Sequence, residues 1–75
     1  MDPKYLDLEV ELTGKDGNAF NIIGIVRAAI KRHLLVVHGF DRSGADARVQ
    51  EFTDEATSGD YDNVLQTCMR WVRVM

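Results

Sequence analysis

The residues best equipped for recognition chemistry lie late in the sequence: Arg70, Trp71 and Arg73. An indole can stack on a nucleobase, and a guanidinium can grip phosphate through paired donors. The same groups serve as hot spots of protein interfaces. A third reading is structural, with Arg73 facing Glu9 or Glu11 across a sheet while Trp71 covers an edge of the core. Two turns add anion-friendly backbone: Thr13–Asn18 (TGKDGN) and Thr57–Tyr61, each leading into a helical pattern. Helix N-termini expose unpaired N–H groups and a partial positive charge. Lys15 would add a counter-charge, and the backbone near Gly17 and Asn18 would help. Against this, Asp16 and Asp60 would repel a phosphate, and TGKDGN lacks the spacing of a Walker loop. Plain helix capping also accounts for both turns. The candidate ligand-binding set is therefore Lys15, Gly17, Asn18, Arg70, Trp71 and Arg73.

Other chemistries find less support. His33 and His38 stand five apart with no second cysteine, a poor zinc set. Asp60 and Asp62 belong to an acidic cluster, but calcium loops need more oxygen ligands at regular alternate positions. Cys68 is the lone cysteine, so no intrachain disulfide forms, and it falls on the apolar stripe of a helical segment, as a small core residue does. No acid–base pair with a supporting partner emerges. The expectation is a protein without catalytic residues, without a metal and without a cofactor: not an enzyme.

The elements that must position these residues are short. Seventy-five residues make a single domain with a small core. With 45% hydrophobic and 28% charged residues the chain is globular, and its net charge of −3 argues against a double-stranded DNA surface. No apolar run approaches a membrane span, and no apolar leader segment follows the acidic start, so a cytoplasmic protein is expected. With no covalent or metal staple in view, oligomerisation is the expected aid to stability.

Tyr5 to Leu12 alternates, with Leu6, Leu8, Val10 and Leu12 expected inward and Asp7, Glu9 and Glu11 outward. The longest periodic segment runs from Asp16 to Leu35. Its apolar positions Phe20, Ile23, Val26, Ile30 and Leu34 predict the central helix, starting at about Asn18 or Ala19. LLVVH (34–38) could extend that helix or form a short strand, and Gly39 ends it either way. Phe40–Gly44 reads as a loop. A second helix is predicted over Ala45–Ala56 with Ala45, Val49, Phe52 and Ala56 inward. A third covers Asp60–Met69 with Tyr61, Val64, Leu65 and Cys68 inward. Arg70–Met75 (RWVRVM) alternates again as a closing strand, placing Trp71 and Arg73 on one face. The fold class is α+β: a β-α-α-α-β domain whose short antiparallel sheet is backed by helices and completed by oligomerisation, since two strands alone make a thin sheet.

The blocks Asp16–Phe20 (DGNAF), Gly24, Ala56–Asp62 (ATSGDYD) and Arg70–Val72 (RWV), with the acidic strand before them, resemble a family of short, mostly uncharacterised proteins from bacteria and tailed phages. The region from Leu35 to Ala47 departs from the family's pattern by being longer and more apolar, and Ile25 stands where a polar residue is expected. The resemblance implies a phage or mobile-element setting, where small proteins inhibit or sequester a host component. Two functions follow as expectations. One is a non-catalytic binding protein that sequesters a small anionic, nucleotide-like signal of host immunity between subunits of a homo-oligomer. Trp71 would stack on its base, and Arg70, Arg73 and Lys15 would meet its phosphates. The other is a protein-interaction module that blocks a host enzyme or complex through the acidic strand and the Leu35–Phe40 insert.

Overall fold

A computed structural model describes residues 3–12 and 18–75. The element order is β1 (Tyr5–Val10), α1 (Ala19–Val36), α2 (Arg42–Ala56), α3 (Tyr61–Trp71) and β2 (Val72–Val74). The β-α-α-α-β order expected from periodicity is the one observed. Every helix starts on a side chain able to accept from its first turn. The Asn18 side chain accepts from Phe20 N–H at 2.8 Å, Asp41 from Gly44 N–H at 2.7 Å, and Asp60 from Asn63 N–H at 3.1 Å. Capping by Asp41 carries α2 back to Arg42, into residues whose composition suggested a loop. At its other end α1 takes in Leu34, Leu35 and Val36. It stops where Gly39 adopts φ +70°, and Phe40 N–H donates back to Leu34 O at 2.9 Å. The ambiguous LLVVH is thus mostly helix.

The core joins one stripe from each helix to the inner face of the strands. α1 contributes Ile22, Ile23, Val26, Ile30 and Leu34, and α2 contributes Ala45, Val49, Phe52 and Ala56 as expected. α3 contributes Val64, Thr67, Cys68 and Trp71, while Tyr61 of its expected stripe stays exposed. Phe20, at the first turn of α1, is 82% exposed rather than part of the stripe. Among the described residues no helix is long and apolar enough to cross a membrane.

Two expectations about the strands need correction. Among the described residues the sheet has two strands, and they pair in parallel, not antiparallel. Three helical traverses separate β1 from β2. An odd number of traverses brings the chain back in its starting sense, and parallel strands require a long crossover of this kind. The alternation of β1 is also interrupted. Tyr5 pairs with Val72 and Glu9 with Arg73, so the register slips between them. A bulge of this sort switches which side chains face inward. Tyr5 therefore turns onto the core beside Leu8 and Val10, while Leu6 is 53% exposed.

Candidate functional site

The expected recognition patch is taken apart by the fold. Trp71 is the last residue of α3, not part of the closing strand, and it is 1% exposed. Its indole N–H donates to Glu55 Oε2. Phe52 meets it edge-on at 5.6 Å, Tyr5 lies tilted at 5.9 Å, and the Lys4 ammonium sits 4.0 Å from its centroid. No ring face remains open for a base to stack on.

Arg70 donates through Nε to Glu55 Oε1 at 3.1 Å and through Nη2 to Thr67 Oγ1 at 3.0 Å. Arg73 pairs with Glu9 across the sheet at 3.1 Å, as the structural reading of the sequence has it. Each arginine is thus matched by a carboxylate. The indole N–H and the Arg70 guanidinium hold the Glu55 carboxyl below its usual range. Asn18 uses its side chain to cap α1, and Lys15 and Gly17 lie outside the described residues. The described members of the set do not converge on one pocket. Asp60, considered as a calcium ligand, caps α3 instead, and burial pushes the Cys68 thiol up to about 11, keeping it protonated at neutral pH.

A different constellation forms where β1 meets the C-terminal end of α1. Asp7 sits in the irregular stretch of β1. His33 occupies the last turn of α1, and His38 follows in the turn that Gly39 closes. Asp7 Oδ2 lies 3.0 Å from His33 Nε2 and 3.3 Å from His38 Nε2. The imidazole rings meet edge to face at 4.9 Å, and Tyr5 stands behind both, at 6.5 Å from His33 and 6.0 Å from His38. The His33 side chain is 9% exposed, whereas those of Asp7 and His38 are 53% and 38% exposed. His33 Nε2 is buried without a hydrogen-bond partner: the carboxylate is near, but off the line along which that nitrogen would bond. The His33 imidazole, and after it a backbone N–H donated to the carboxylate, hold the Asp7 carboxyl below its ordinary range against the opposing effect of desolvation.

Beside this cluster runs an open groove of about 340 Å³, lined by Leu8, Ala29, Arg32, His33, Val36 and Val37. Val36 is 73% and Val37 60% exposed. Asp7 and Leu8 of the acidic strand and Val36 to His38 of the Leu35–Phe40 insert, which the sequence offers together as one candidate interface, meet on this face. By spacing alone the two histidines make a poor zinc set, and nothing local links them to Asp7, which joins them only through tertiary packing.

Compared with family models, curated proteins and solved structures, the chain matches none of them.

Proposed function

We propose that the chain is a non-catalytic protein-interaction module that grips a partner protein through the face where β1 meets the end of α1. The observation that carries this reading is the exposure of Val36 and Val37 beside the groove they share with Leu8 and Ala29. Large apolar side chains gathered at a groove and rimmed by charge are typical of binding surfaces. Arg32 lines the groove as its charged residue, and Asp7 stands beside the groove against His33. Neither valine is buried in the core, which Ile30 and Leu34 close from α1. The resemblance of the DGNAF and ATSGDYD blocks to short phage and bacterial proteins suits a module that inhibits a host enzyme or complex.

The test is site-specific photo-cross-linking from position 37, with a second probe at Gln66 on the exposed side of α3 as control. The expected result is a discrete adduct from position 37 but not from position 66. It should disappear when Val36 and Val37 are both changed to lysine while the circular dichroism spectrum is retained. Equal labelling from both positions would overturn the reading. So would a saturable thermal shift with nucleotides that is lost in Arg73→Ala, which would favour sequestration of a small anion.

A further inference from the structure

We infer that Asp7, His33 and His38 form a binding site for a divalent transition-metal ion of the zinc class, clamping β1 to the C-terminal end of α1. One ligand atom from each residue can be chosen so that all three lie within 4.8 Å of one another, and among the described residues this is such a group. In a tetrahedral zinc site with bonds of about 2.0–2.1 Å, neighbouring ligand atoms stand roughly 3.3 Å apart. Two edges of the triangle, 3.0 and 3.3 Å, already have that length. Exposed rotamers at Asp7 and His38 leave freedom to adjust the third.

The donor chemistry points the same way. Two imidazole nitrogens and one carboxylate oxygen suit zinc and its first-row neighbours, whereas calcium and magnesium call for oxygen-rich shells. His33 supplies an independent sign. A buried ring nitrogen with no hydrogen-bond partner is costly, and this one lies 3.0 Å from the Asp7 carboxylate. A metal would use that nitrogen's lone pair. The solvent-facing side, bordered by the half-exposed Asp7 and His38, leaves room for a water as fourth ligand.

The placement also has a mechanical consequence. The three ligands come from β1 and, distant in sequence, from the end of α1 and the turn after it, and β1 is an edge strand of a thin sheet. An ion bound there stabilises the folded state by linkage and supplies the staple that a domain of this size otherwise lacks.

The experiment uses the full chain with any affinity tag removed and stripped with chelator. Zinc chloride and cobalt chloride are titrated by calorimetry, visible absorption and thermal melting. The expected result is one ion per chain, intense visible bands from cobalt in a low-coordinate site, and a higher Tm with zinc. Asp7→Asn and His38→Gln should each weaken affinity about tenfold or more, because even changes to groups behind metal ligands have effects of that size. Both residues are solvent-facing, so these variants keep the fold, as circular dichroism without metal would confirm. Cys68→Ser should bind as the parent does. Absence of any metal-dependent signal overturns the proposal. Binding that survives both ligand variants, or that depends on Cys68, overturns it as well by placing the ion elsewhere.

Discussion

Trp71 shows how the role of a residue is decided by what it meets. An indole flanked by arginines has the composition of a base-stacking site, yet here it anchors three elements. Its ring packs on Phe52 of α2 and Tyr5 of β1, while its N–H and the Arg70 guanidinium share the Glu55 carboxylate. That carboxylate is 37% exposed at the side chain, so water screens the pairing, and the contribution is modest. Glu55→Gln should cost about 1 kcal/mol at neutral pH, mainly through the weakened charge-assisted bonds. The pH dependence carries the sign of a depressed carboxyl. The folded-state value lies below the ordinary 4.5, so the contribution is complete above about 4.5 and is lost as pH falls through the lower, folded-state value. Urea titrations at a series of pH values should show parent and Glu55→Gln converging at the acid end. A constant gap across that range would mean that the carboxylate's charge plays no part.

At the scale of elements, the turn after α1 determines whether His38 reaches Asp7. Gly39 has φ +70°, a region that costs a side-chain-bearing residue conformational strain. Open space surrounds the position its Cβ would occupy, so the penalty of Gly39→Ala is conformational rather than steric. The expected destabilisation is about 1 kcal/mol, a Tm lower by roughly 4–8 °C in a domain of this length, measured by scanning calorimetry. An unchanged Tm would show that the turn has another accessible conformation. The helices were legible in the sequence because their signals are local: the caps Asn18 and Asp60, and the stripes of α1 and α2, follow a 3.6-residue repeat. The end of α3 carried such a signal too. Val64, Thr67, Cys68 and Trp71 continue one helical face, but the alternation of RWVRVM competed with it and drew Trp71 into a strand. The sense of the sheet and the bulge in β1 have no local signature, since both depend on how three helices return the chain. The Asp7–His33–His38 cluster was hidden for the same reason.

The whole molecule leaves a sheet of two parallel strands, and parallel sheets are ordinarily covered on both faces and extended at their edges. Among the described residues each strand has one neighbour. Leu6, Val74 and Met75 on the strand side and Val36 and Val37 on α1 remain exposed. A small domain with this much apolar surface would gain stability if a second copy covered it, and the strand side is the surface on which to test for one. In that case, folding is coupled to association, and Tm rises with protein concentration. Sedimentation velocity and thermal melts over a hundredfold range of concentration test this directly. Self-association through the strand side should weaken in Leu6→Lys but persist when Val36 and Val37 are both lysine, because those two valines belong to the groove beside α1. If the lysine pair abolishes self-association instead, the groove is the surface between copies and the partner it grips is the chain itself. A monomer whose Tm is independent of concentration would show that three helices and two strands suffice, leaving both apolar faces to other proteins.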